Sequence, residues 1–157
     1  MRLVARDARQ RGSVLLLFPA AVLVVVVLAA IAVDAAIAFL GQREVANAVA
    51  AAANDAAGAG VGDQAFYRQG SVDLDPSAAA VVAEEQVRAV LDPGRFHDVA
   101  VDVTVVPRRA GCPARVRVRA TATVDALFAN ALPGGPRQTR VQAVATGSPR
   151  QDGGPGC

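Results

Sequence analysis

Tryptophan and lysine are absent from this chain of 157 residues, Tyr, His and Met occur once each, and aromatic residues make up 4% of it. Without Trp, and with one Tyr, the chain has no platform for stacking nucleic-acid bases and little bulk for a large conventional core. A zinc site or a catalytic triad normally needs several such groups brought together, and the chain offers a single histidine, His97, and two cysteines, Cys112 and Cys157. Charge is also sparse, at 19% of residues against about a quarter in ordinary soluble domains. The basic residues are all Arg and number 16 against 14 acids, so the net charge is only +2. That balance calls for no nucleic-acid partner. What is abundant is apolar: 53% of the chain, with mean hydropathy +0.34. A disordered chain and a simple soluble globule are both excluded.

The apolar excess is concentrated between Val14 and Leu40. Residues 1–12 carry Arg2, Arg6, Arg9 and Arg11 against the single acid Asp7. The stretch Val14–Val33 then runs 20 residues without a charge. As a helix it covers about 30 Å, the thickness of a bilayer's hydrocarbon core. A backbone in lipid must satisfy its own hydrogen bonds, so the run is read as a transmembrane helix. It is longer than the apolar region of about 7–15 residues that a cleaved secretory signal needs. The flanking arginines place the N-terminus in the cytoplasm and residues beyond about 42 outside. Pro19 lies within the span, where lipid-embedded helices tolerate it. Asp34 falls at the outer edge. It reads either as a solvated interfacial acid or as a carboxylate used in helix–helix assembly.

Beyond the membrane run the chain remains rich in Ala, with Val45, Ala48, Val49 and Ala52 at helical spacing. One helix is therefore predicted from about Ser13 to about Ala57, weakened at Gly41 and ended by Gly58 and Gly60. Its small-residue stripe needs a partner, either the C-terminal domain or another copy of the chain. Asp75-Pro76 opens a second helix, with Asp75 as N-cap and Pro76 at the first helical position. Val81, Val82, Val87, Val90 and Leu91 are read as its apolar face, and Glu84, Glu85 and Arg88 as its wet face. Asp92-Pro93-Gly94 stops it.

The remainder alternates with period two. Val99, Val101, Val103 and Val105 share one strand face. Val116, Val118, Ala120, Ala122 and Val124 share a second, and Val141, Ala143 and Ala145 a third. A three-stranded antiparallel meander follows, with one apolar face to be covered by the second helix and part of the first. The fold class is thus α+β: a long N-terminal transmembrane helix extending into a stalk, a second helix and a small three-stranded antiparallel sheet. The divisions are 1–12, a cytoplasmic basic segment or leader; 13–40, the transmembrane helix; 41–60, its extracytoplasmic extension; 61–147, an extracytoplasmic α+β domain; and 148–157, a flexible tail.

No phosphate-binding loop, dinucleotide fingerprint, zinc-protease motif or nucleophile elbow is present. His97 reads as a surface residue, and the adjacent Glu84 and Glu85 diverge on a helix rather than forming an acid/base pair. No cofactor or metal is predicted, and the chain is read as non-enzymatic. Outside the membrane, Cys112 and Cys157 are free to bridge each other. Two thiols, or a bridge to another chain, are the alternatives. Arg115, Arg117 and Arg119 form a stripe on one strand face, read as solvated or as a surface for an acidic partner.

The order RGSVLLLFPAAVLVVVVLAAIAVDAAIAFLGQREVANAVAAAANDAAGAG resembles the N-terminal signature of TadE-like and TadG-like pilus assembly proteins. These are pseudopilin-type components of tight-adherence (Flp) systems, also found in actinobacteria. The features that carry the resemblance are Arg11-Gly12-Ser13 before the span, Asp34 near its end and the Ala/Asn-rich helix after it. RVRVRATATVDALFANALPGGPRQTRVQAVATG is similar to the family's closing hairpin. The resemblance implies a leader ending at Gly12, with cleavage on the cytoplasmic side before Ser13. The fifth mature position, where pilin-like proteins usually carry Glu, is here Leu17. It also implies a non-enzymatic single-pass component of a pilus or related secretion apparatus at the cell membrane, whose partners are membrane lipid, other subunits of the apparatus and further copies of itself. The alternative is a membrane-anchored extracytoplasmic binding module.

Overall fold

The computed structural model describes residues 11–59, 74–108, 112–131 and 134–149, with side chains from Leu17 onward. The basic run before Arg11, the segment 60–73, the Leu-Pro pair at 132–133 and the tail with Cys157 lie outside the described residues.

Helix α1 runs from Arg11 to Ala59 as one element of 49 residues. Ala, Leu and Val dominate it, and good helix formers outweigh the cost of Pro19, Gly41 and Gly58 inside it. The surface of α1 changes character along its length. From Leu17 to Leu40 its large apolar side chains, Ile37 apart, stand exposed, from 40% at Val33 to 75% at Phe18. This is a helix long and apolar enough to cross a membrane. From Gly41 onward one face is buried instead. Val45, Ala48, Val49, Ala52, Ala53, Ala56 and Ala57 are all inaccessible, at the three- and four-residue spacing of one helix stripe. The expected extension is therefore the central helix of the head, with the sheet and the second helix packed along it.

Helix α2 spans Pro76–Val90. Asp75 caps it: Oδ1 accepts from the Ser77 amide at 2.8 Å, the Ala78 amide at 3.3 Å and the Ser77 hydroxyl at 2.6 Å. These bonds satisfy amides that the first turn leaves orphaned. The buried face is Ala79, Ala83 and Val87, continued by Leu91. This corrects the sequence reading, since Val81 and Val90 point outward, 56% and 43% exposed. Ala79 and Ala83, one turn apart, let the first half of α2 lie close against α1, and Val87 completes that buried face.

Strands β1 (Phe96–Val106), β2 (Arg115–Asp125) and β3 (Gln138–Gly147) form an antiparallel sheet in the order β1-β2-β3. Val103 pairs with Val118 and Val118 with Ala145, which sets the register across the sheet. Asp98 takes a left-handed φ of 51° and makes a bulge between His97 and Ala100. The bulge shifts the alternation by one so that both Phe96 and Val99 face the helices. Val116, Val118, Ala120, Ala122 and Val124 of β2 form the floor of the core under Val45 and Val49 of α1 and Val87 of α2. Each fully buried valine contributes about 1.5–3 kcal/mol through removal of its side chain from water. The helices cover one face of the sheet only. The other face, with Asp102, Arg117, Arg119, Gln142 and Thr146, is open.

Two glycines set how closely α1 approaches the sheet. A Cβ on Gly147 of β3 would fall 2.0 Å from the Ala53 carbonyl oxygen, and one on Gly41 would meet Val124 Cγ2 at 2.9 Å. The helix therefore touches the sheet backbone near Ala53 and its side chains near Gly41. Gly147→Ala should destabilise the head by about 2 kcal/mol or more, since backbone and not a flexible side chain must give way. Gly58→Ala, with open space around it, should be neutral or stabilise by up to about 0.5 kcal/mol. Denaturant unfolding of the full chain in micelles, followed by circular dichroism, compares them; equal midpoints would contradict the close approach.

Candidate functional site

The functional geometry lies where the exposed half of α1 gives way to the head. After β2 the chain passes through Ala126, Leu127 and Phe128 into a single 3-10 turn, Ala129–Ala131. Successive amides there point the same way and form a concave set of donors. The Asp34 carboxylate fills it. Oδ1 accepts from the Leu127 amide at 2.8 Å and the Phe128 amide at 3.0 Å, and Oδ2 accepts from Phe128 at 3.2 Å and Ala129 at 2.6 Å. A carboxylate is acceptor-only, and both of its oxygens are here engaged by backbone of the same chain. The acid that interrupts the apolar run is thus the latch between helix and head.

Other polar contacts hold the same junction. The Gln42 amide nitrogen donates to the Gln142 carbonyl, and the Gln142 amide donates to Gln42 Oε1 at 3.2 Å. One side chain thereby engages both backbone groups of a residue on edge strand β3, as a neighbouring strand would, and blunts that edge. Arg95 Nη1 lies 3.0 Å from Glu44 Oε2, linking the start of β1 to α1. His97 Nε2 and Gln138 Nε2 flank Asp125, at 3.1 Å from Oδ2 and 3.0 Å from Oδ1. This clasp joins all three strands at the Asp34 end of the sheet. The Gln138 amide, and after it the His97 ring, hold the Asp125 carboxyl below its ordinary pKa. The Ser77 hydroxyl and amide do the same for Asp75.

The residues singled out from the sequence do not converge on one site. Gly12 and Ser13 lie in the first turn of α1, some 21 residues or about 32 Å along the axis from Asp34. Cys112 sits in the β1–β2 connection, at the opposite end of the sheet from the Asp34 latch, and is disulfide-bonded. Arg117 and Arg119 are exposed on the open face, beside Thr104 and Asp102 of β1 in the register, and Arg115 is half-buried. Glu84 pairs with Arg88 one turn on, at 3.1 Å. Among the described residues no group of three or more His, Cys, Asp or Glu is placed to hold a metal. Gln42, Glu44, Leu127 and Phe128 escaped the sequence reading. The adjacent apolar pair Leu127-Phe128, just after the alternation of β2 ends, was the one local signal.

Comparison of the chain with protein-family models, curated proteins and solved structures gives no match.

Removing the latch should free its donors. In Asp34→Ala, the amides of Leu127, Phe128 and Ala129 should exchange with solvent deuterium markedly faster than in the native chain, while those of the β2 core stay protected. Unchanged protection at the three amides would refute the latch. Acid should also weaken the head. Carboxyls whose pKa is lowered by folding contribute stability that is complete above the ordinary value of about 3.9 and is lost as pH falls through the lowered one. The melting midpoint should therefore drop below about pH 4. Asp75→Asn combined with Asp125→Asn, which keeps acceptors but removes the charge, should flatten part of that drop. An acid limb of unchanged steepness in the double variant would show that these two groups are not its source.

Proposed function

We propose that the chain is a non-enzymatic, single-pass membrane component of a TadE/TadG-like pilus or related secretion apparatus, acting through packing of its long helix and through its outward β domain. The observation that carries this reading is the division of α1. Its front half presents apolar side chains outward on all sides, and its rear half is the core helix of a small sheet domain. That is the architecture of a subunit whose rod lies in lipid as a monomer and among other rods when assembled. The alanines among its surface residues are small enough to let helices approach closely. The arginines before the span support an N-terminus in the cytoplasm and a head outside. The sequence signature around Arg11-Gly12-Ser13, Asp34 and the closing hairpin supports the family.

A membrane-anchored binding module is the second reading. It is favoured by the open sheet face, where Arg117, Arg119 and Arg140 stand exposed and suit an acidic partner. Photo-crosslinkers at single positions in membranes of the source cell separate the two. A structural subunit should trap further copies or other membrane subunits from positions such as Leu23 and Val26. A binding module should trap partners only from positions on the open sheet face, such as Thr104 and Thr146. N-terminal sequencing of the membrane-extracted protein reads processing directly. A start at Ser13 supports leader cleavage, whereas a start at Met1 means the leader is retained.

A further inference from the structure

We infer that Leu127 and Phe128 form a foot that enters the acyl region of the outer leaflet, seating the head directly on the bilayer that α1 crosses. The inference rests on the proposed membrane span and adds a second contact with lipid that the helix alone does not require.

The depth follows from the helix. The uncharged run Val14–Val33 covers about 30 Å, so Asp34 comes at the edge of the hydrocarbon. Exposed apolar side chains continue past it to Phe39 and Leu40, which sets Asp34 at that edge or inside it. The amides of Leu127, Phe128 and Ala129 lie within hydrogen-bond distance of the Asp34 carboxylate. The loop is thereby held to α1 at the same level, within the reach of one short side chain.

The loop's chemistry suits lipid. Leu127 is 62% and Phe128 43% exposed. They are the one adjacent pair of exposed large apolar residues among the described residues of the head; Val81, Val90, Val106 and Val144 stand singly. No residue from Ala126 to Ala131 carries a charge. A loop entering hydrocarbon must not bring unpaired backbone donors with it. Here the amides of Leu127, Phe128 and Ala129 are taken by Asp34. Those of Ala126 and Ala131 bond to the carbonyls of Arg137 and Phe128, at 2.9 Å and 3.0 Å. An ionised acid at the membrane edge is costly unless paired, and the same three amides that Asp34 takes from the loop pair the acid. The latch and the foot are one device.

The absence of Trp makes the test direct. Single Trp substitutions in the full chain, reconstituted into phosphatidylcholine vesicles brominated near the top of the acyl chain, report contact with that layer through loss of fluorescence. Phe128→Trp and Leu127→Trp should lose most of their emission in brominated relative to unbrominated vesicles. Val26→Trp, about 12 Å deeper in the span, should be quenched in companion vesicles brominated near the end of the acyl chain. Val106→Trp, at the far end of the sheet near the level of Ala53 and so about 28 Å farther along α1 than Asp34, should keep its emission. Quenching at Val26 without quenching at either loop position overturns the foot while leaving the membrane span intact. Equal quenching at Val106 overturns it too, because the head would then lie on the bilayer in another way. No quenching at Val26 overturns the span itself, and with it the foot.

Discussion

The structure depends on a single constraint: one unbroken helix must satisfy its backbone internally while its side chains meet two different surroundings. Over its front half, Asp34 and Ile37 apart, the valines, leucines and phenylalanines of α1 are bare. Over its rear half the same helix buries a continuous stripe in the head, and Ala replaces most of the larger side chains on it. The change from large to small comes between Leu40 and Gly41. A sheet can approach a helix closely only where the helix offers Ala and Gly, so the head begins where they do.

The polar contacts gather at that boundary for the same reason. A small head with a core of Val and Ala has limited burial with which to hold its orientation on the helix. Asp34, Gln42 and Glu44 lie along about three turns of α1, and each reaches a different part of the sheet domain: the loop after β2, the edge of β3 and the entry to β1. Three directional contacts from one helix define an angle that apolar packing alone defines loosely. The close approach at Gly147 fixes the far end. The head is thus tied to the rod at both ends.

Most of the architecture was legible from local pattern. The strand faces follow from alternation, the start of α2 from Asp75-Pro76, and the length of α1 from its composition. The reading went astray on α2, where Val81 and Val90 were assigned to the apolar face. Hydrophobicity ranked them above Ala79 and Ala83, but distance to α1 ranked them below. Gly41 was read as a weak point in the helix, whereas it leaves room for the Val124 side chain of β2. Helix propensity treats glycine as a cost; it contains no information about a side chain arriving from 83 residues away.

The sequence by itself determined that a long apolar helix leads into a small α+β head, because the periods of helix and strand and the run of uncharged residues are local properties. Only the tertiary structure decided what Asp34 is for. Its partners lie 93 to 95 residues farther along the chain and are backbone amides, which every residue but proline possesses. No residue type marks them, so no motif can. Their convergence on one carboxylate is a matter of where β2 ends relative to α1, and that is set by the packing of small side chains between the sheet and the helix.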